Sequence, residues 1–263
     1  MPEAAPALSA PDSAFDLSAI ARPLRFVLRS ALLILHLAYG LLLAVLVKLD
    51  AGNRLPRERM GSHWSRLLMR LMGVELRVRG TPLQGGGVFI ANHVSWLDIP
   101  LIYACAPTRF VSKSEVRDWP VAGWLAEAAG TFYLRRGKGG ARPLLNKLVP
   151  HLRAQGSVVI FPEGTTTDGT DVLPFHPRLF CAAIESGQAV QPVALRYSVG
   201  SCGGNIAPFV GDDDLVSHVA RLLRNRELVA EAVFGSPLDS ADRTREELAD
   251  ASRNSIQAAL QIA

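Results

Sequence analysis

The 263-residue chain is poor in cysteine, in aromatic residues and in charge of either sign. Its three cysteines, Cys105, Cys181 and Cys202, are widely spaced and odd in number. Neither a disulfide framework nor a paired-cysteine metal site can be read from them, and a reducing compartment is expected. The sequence has no GxGxxG dinucleotide fingerprint, no GxxxxGK[ST] phosphate loop, no GxSxG nucleophile elbow and no HExxH zinc helix, so the best-known nucleotide, serine-hydrolase and zinc-protease designs lose their signatures. No metal site is expected. Charged residues make up 20% and aromatics 7%, and the net formal charge of +4 is too modest to name a partner. The basic residues do not interleave with aromatics, which argues against a nucleic-acid surface.

What the chain has in excess is apolar length. Residues 31–47 read ALLILHLAYGLLLAVLV, seventeen positions without a formal charge, and counting back to Phe26 lengthens the run if Arg29 snorkels. This is borderline spanning length. No small-residue cleavage site follows it and no basic cap opens the chain, so it is not read as a removable leader. Arg22, Arg25 and Arg29 precede the run, and Lys48, Arg54, Arg57, Arg59, Arg66 and Arg70 follow it, which places the downstream chain on the cytoplasmic side. A shallow interfacial helix and a buried core helix are the alternatives. Residues 1–20, rich in Ala, Pro and Ser, are read as disordered, residues 21–75 as membrane-associated helices, and residues 76–263 as one α/β domain.

Within that domain the pattern alternates. VFIAN (88–92), RFVSK (109–113), TFYLRR, SVVIFPEG, AVQPVALRYS and LVAEAVFGSPLD read as strands, and ELRVRG alternates as another. Between them lie the helical stretches WLDIPLIYACA, PVAGWLAEAAG, ARPLLNKLVPHLRAQG (broken near Pro150), FCAAIESG and DDDLVSHVARLLRN, and an exposed helix over TREELADASRNSIQAALQ closes the chain. The expected fold is α/β, a mixed and largely parallel sheet flanked by helices behind a membrane-associated helical segment.

Three polar clusters fall at strand ends, where open α/β sheets build their sites. In NHVSWLD, His93 and Asp98 are five residues apart. On one continuous helix their side chains would diverge by about 140° at 100° per residue, so they meet only if His93 sits in the turn before the helix. Asp98 would then fix the tautomer of an imidazole that takes a proton from a hydroxyl. The plainer reading is a capping box, Ser95 with Asp98 three residues on. FPEGTTTDG, residues 161–169, is either a turn offering backbone N–H groups to an anion or a loop with an Asx-turn at Asp168. GTFYLRRGKGG carries Arg135, Arg136 and Lys138, suited to carboxylate or phosphate or to plain solvation.

His93-(x4)-Asp98, GTFYLRR, FPEGT and VQPVAL (190–195) stand in the order and approximate spacing of the four blocks of the glycerolipid acyltransferase family, to which residues 60–240 are similar. That resemblance implies acyl transfer from acyl-CoA or acyl carrier protein, as donor substrate, to the hydroxyl of a membrane lysolipid, with no bound cofactor. It implies His93 as general base and Asp98 as its orienting partner. Lys113, Arg136, Glu163, Gly164, Thr165 and Arg178 become candidate substrate-binding residues, and a strand-end turn at Pro192 matches the fourth block. The setting it implies is the cytoplasmic face of a bacterial inner membrane, with oligomeric state unspecified. Thr166 stands where the common pattern has Arg, and LPFHPRLF replaces LPFKxGAF, which brings His176 and Arg178. Both changes resemble a subgroup that includes lyso-ornithine lipid acyltransferases. Lysophosphatidate is the leading acceptor and lyso-ornithine lipid the alternative, with a thioesterase-like hydrolase or a non-catalytic lipid-binding protein as readings of another class.

Overall fold

The computed structural model describes residues 17–134, 141–199, 205–225 and 227–261. A long helix α1 (Leu17–Leu49) leads into α2 (Arg57–Leu71), and a seven-stranded sheet follows. Its strands are β1 (Val74–Arg79), β2 (Gly87–Ala91), β3 (Arg109–Lys113), β4 (Phe132–Leu134), β5 (Ser157–Ile160), β6 (Val190–Val199) and β7 (Leu228–Phe234). They lie in the order β1-β7-β6-β2-β5-β3-β4, and all neighbours are parallel except β6 and β7. The C-terminal ends of β2, β3, β4, β5 and β6 therefore share one edge.

β2 is the centre of this sheet because it is apolar on both faces, as a parallel strand covered by two layers must be. Phe89 and Ala91 point into one core with α2, α3 (Asp98–Cys105) and α7 (Leu215–Arg224), while Val88 and Ile90 point into the other with α5 (Ala141–Arg153), α6 (Cys181–Ser186) and α8 (Arg245–Gln261). The glycines ahead of β2 serve a close approach. A Cβ on Gly86 would lie 2.8–3.0 Å from the backbone of Gln155, and its φ is 98°.

Three local expectations need correction. Helix α5 runs through Pro150 to Arg153. The carbonyl that loses its partner there is that of Asn146, an exposed residue, so the lost hydrogen bond falls on the solvent side of the helix. α8 is not an exposed helix: Leu248, Ala249, Ser252 and Ile256 form a buried stripe on the second core. Pro192 is not in a strand-end turn but inside β6, where the missing N–H is made good by its neighbour. The Gln191 side-chain amide donates to Gly235 O at 2.8 Å and Thr81 O at 2.9 Å and accepts from Leu83 N at 2.8 Å, while Gly235 N donates to Pro192 O.

The apolar run is not a core helix either. From Pro23 to Leu49 it is long and apolar enough to cross a membrane, and only 22% of its most apolar window is buried. One side of α1 nevertheless docks along the body. Arg29 donates to the carbonyls of Leu223 and Asn225 at the end of α7, and Phe26 lies under Arg224. His36 stacks on Trp64 of α2 with ring centroids 4.6 Å apart. At the far end Lys48 pairs with Glu127 of α4 (Ala122–Ala128) and sits over Trp124.

The α2–α3 contact depends on Gly61, where an added Cβ would come within 2.4 Å of the buried Tyr103 ring and hydroxyl. Gly61→Ala should lower stability by about 1–3 kcal/mol, a fall of several degrees in the unfolding midpoint. An unchanged midpoint by thermal circular dichroism would refute this packing.

Candidate active site

β2 ends at Ala91, and the chain turns through residues 92–97 before α3 begins at Asp98. His93 thus sits in the turn ahead of the helix, the condition under which it can meet Asp98. The Asn92 amide fastens the start of that turn to β6: it donates to Leu195 O at 2.9 Å and accepts from Leu195 N at 2.7 Å, replacing the backbone pairing that stops when β2 turns away.

Asp98 is fully buried, and every partner its carboxylate has among the described residues is a donor. Oδ2 accepts from His93 Nδ1 at 2.7 Å, Val94 N at 2.7 Å and Ser95 N at 2.9 Å. Oδ1 accepts from the Tyr197 hydroxyl at 2.6 Å. The bond to Ser95 N reaches back three residues as in a capping box, but α3 itself starts at Asp98 with Leu97 as its N-cap and no side-chain cap, so the carboxylate ties the turn ahead of the helix and orients the ring. With Nδ1–H committed to Asp98, Nε2 carries the lone pair. The ring is 19% exposed and lies flat on Phe161, with centroids 4.1 Å apart. No described residue hydrogen-bonds Nε2, so the basic nitrogen is left for a ligand.

The FPEGT loop holds the backbone of His93 at both ends. Glu163, buried, accepts His93 N at 2.7 Å on one oxygen and Leu173 N at 2.9 Å on the other. Thr167 N donates to His93 O at 2.8 Å. Burial pushes the Glu163 carboxyl above its usual range, against the opposing pull of the two N–H donors. Gly164 turns the loop at φ 71° with the His176 ring 3.4 Å from where a Cβ would be, and Gly164 and Thr165 are exposed. Thr166 faces inward, its hydroxyl bonded to Phe209 O. The Asx-turn is there too, since Thr170 N donates to Asp168 Oδ1 at 2.9 Å.

The remaining candidates are less gathered. Lys113 ends β3 at the same sheet edge, in register with Leu134. Arg178 is exposed on a short 3-10 turn, Pro177–Phe180, with no ion pair among the described residues. Arg135, Arg136 and Lys138 lie outside the described residues. Two residues escaped the sequence reading. Tyr197 was hidden in a strand, where its only signal was a hydroxyl in a buried position that must find a partner. His218, also buried, accepts from Trp96 Nε1 at 3.0 Å and faces the carbonyls of Ala207 and Pro208 with its other nitrogen, bracing the turn from α7.

With this geometry in view, relatives can be compared. The family model described as Acyltransferase matches residues 75–196. A lyso-ornithine lipid O-acyltransferase of Pseudomonas aeruginosa is 44% identical over 244 residues, covering 90% of this chain and 94% of the relative.

This chain belongs to the acyltransferase family.

A 1-acyl-sn-glycerol-3-phosphate acyltransferase of Neisseria meningitidis is 33% identical over 214 residues, 80% of this chain and 84% of that one. The crystal structure of the Thermotoga maritima 1-acyl-sn-glycerophosphate acyltransferase superposes with a TM-score of 0.71 at 19% identity, over 94% of this chain and 97% of that one. It shares the fold.

In this acyltransferase the phenol of Tyr197 is held well above its usual range by burial and by the Asp98 charge, so it remains a donor at all working pH values. Tyr197→Phe removes one donor from the buried carboxylate and concentrates its charge toward the ring. Loss of one hydrogen bond to a charged group should lower kcat/KM about ten-fold, and the acidic limb of the pH–rate profile should move to higher pH. A slower enzyme with an unmoved limb would mean that Tyr197 only packs.

Proposed function

We propose that the protein transfers a fatty acyl group from a thioester donor, acyl-CoA or acyl carrier protein, to the hydroxyl of a lysolipid at a membrane surface. The observation that carries this is the ring of His93, fixed through Nδ1 to a buried carboxylate and open at Nε2. As the acceptor oxygen attacks the thioester carbonyl, Nε2 takes its proton. The new C–O ester bond forms, the C–S bond breaks, and the proton passes to the departing thiolate. A thioester is already a good electrophile, so the demand falls on deprotonating the alcohol, and no acyl-enzyme is needed. Asp98 orients the ring. Glu163 holds the backbone of His93, and Gly164 and Thr165 present the exposed part of the loop to the acceptor head group. Lys113 belongs to the same edge, and Arg136 is a further substrate-binding candidate in this reading.

Lyso-ornithine lipid is the acceptor better supported. The Pseudomonas relative bears that name, and Thr166, which stands for the common arginine, is spent on Phe209 O and supplies no cation for a phosphate. Lysophosphatidate is the second reading, favoured by the exposed guanidinium of Arg178, which has no ion pair among the described residues and is close to His176 in the chain. α1 and α2 serve as the membrane-associated unit, residues 21–75, with the catalytic domain, residues 76–263, on the cytoplasmic face of a bacterial inner membrane. Because α1 is tied to the body at Arg29, His36 and Lys48, over about 28 Å at 1.5 Å per residue, an in-plane placement fits better than a crossing one.

The test is product analysis with purified enzyme, a radiolabelled acyl donor and the two lysolipids in matched assays. Ornithine lipid should form with the higher kcat/KM, and His93→Ala should lose about 100- to 10,000-fold. Acylation of lysophosphatidate alone would reverse the acceptor assignment, free fatty acid without any lysolipid would make the protein a hydrolase, and a His93→Ala enzyme of wild-type rate would end the general-base role.

A further inference from the structure

We infer that the turn bearing Trp119, Val121 and Trp124 is a second membrane footing, which enters the headgroup region of the bilayer beside α1 and brings the catalytic edge of the sheet down to the lipid. The inference rests on the membrane-associated reading of α1 and adds to it a surface that hydropathy along the chain does not reveal.

The placement follows from topology. β3 ends at Lys113 on the edge where β2 delivers His93, and β4 runs parallel to β3, so the connection between them must start at that edge and return to the opposite one. It begins with a short 3-10 helix, Ser114–Asp118, and α4 makes the return journey. Gly130 at its end lies against the side chain of Arg109, where β3 starts. Trp119 and Val121 precede α4 and are therefore at the same edge as the dyad, with Trp124 one turn further along.

These side chains are exposed without any structural demand for it. Trp119 is 42%, Val121 36% and Trp124 50% exposed. Val121 is held at φ 62°, a backbone conformation that costs a β-branched residue free energy and that glycine would adopt freely. Ionic charge does not explain the patch: Arg117 and Lys48 share the carboxylate of Glu127, which leaves a single cation in excess beside the apolar side chains.

Continuity says what covers it. α4 packs on α1, with Leu125 against Gly40 and Lys48 over the Trp124 ring at 4.5 Å. The exposed apolar strip of α1, through Leu42, Val45, Leu46 and Leu49, thereby runs on toward Trp124. Indoles at the margin of an apolar face, with a lysine stem beside them, are the composition of a lipid–water interface. A second copy of the chain or a peptide would be the other occupants, and the test separates them from lipid.

Full-length protein is reconstituted into phosphatidylcholine vesicles whose acyl chains are brominated close to the headgroup, with unbrominated vesicles as reference. The chain has four tryptophans, and bromine quenches an indole only in contact. The Trp119→Phe/Trp124→Phe variant keeps Trp64 and Trp96, and its bromine-dependent quenching should fall at least about two-fold from that of the parent. Quenching that is unchanged in the variant overturns the inference, as does a parent whose quenched emission is negligible. His93→Ala should quench like the parent, so the result does not depend on the acyl-transfer reading. As a functional arm, Trp119→Asp/Trp124→Asp should raise KM for a vesicle-borne lysolipid about ten-fold while leaving kcat/KM for a short-chain monomeric lysolipid as it was. An equal loss on both acceptors would also overturn it.

Discussion

The structure depends on a carboxylate that has no access to water. Removing Asp98 from solvent costs several kcal/mol unless donors surround it, and its four donors come from separate parts of the chain: His93, Val94 and Ser95 in the turn after β2, and Tyr197 from β6. The constellation needs β2 and β6 paired and α3 seated, because Asn92 joins the start of the turn to Leu195 and Tyr197 reaches Asp98 from the same strand. Stability and chemistry are thereby coupled. The arrangement that satisfies the buried charge is also the one that leaves Nε2 of His93 as an outward-facing base.

A second buried carboxylate does complementary work. Asp98 fixes the ring of His93, and Glu163 with Thr167 fixes its backbone. An imidazole on a turn would otherwise sample many orientations, and misplacement of a catalytic group by about 1 Å can cost two orders of magnitude in rate. The FPEGT loop is thus joined to the catalytic residue by its own backbone and side-chain bonds, whatever else its exposed tip touches. Trp96 and His218 extend the support to α7, the helix whose last carbonyls receive Arg29 from α1.

Much of this was legible because it is local. The apolar run of β2, the five-residue spacing of His93 and Asp98, the three-residue relation of Ser95 and Asp98 and the alternation of strands and helices all lie within short windows. What stayed hidden is set by distance along the chain or by compensation. Tyr197 lies 99 residues from Asp98, and nothing near it in sequence signals that its hydroxyl meets a carboxylate. Glu163 reads as a ligand-facing acid until its two oxygens are seen to hold backbone N–H groups. Pro192 suggested a turn because the Gln191 side chain that replaces its missing donor is invisible to propensity, and Pro150 suggested a break because propensity does not register that the orphaned carbonyl faces water. The stripe of α8 was missed because small residues, Ala249 and Ser252, carry half of it.

The central claim is that Asp98 commits His93 to one tautomer, with the proton on Nδ1 and the lone pair on Nε2. Nitrogen-15 NMR of the full-length protein labelled at histidine, with His93 assigned through a His93→Gln variant, reads this directly at a pH where the ring is neutral. The account predicts a protonated, pyrrole-type Nδ1 and a pyridine-type Nε2 for His93. A proton found on Nε2 instead would contradict it, since the nitrogen that faces the substrate could then take no proton from a hydroxyl.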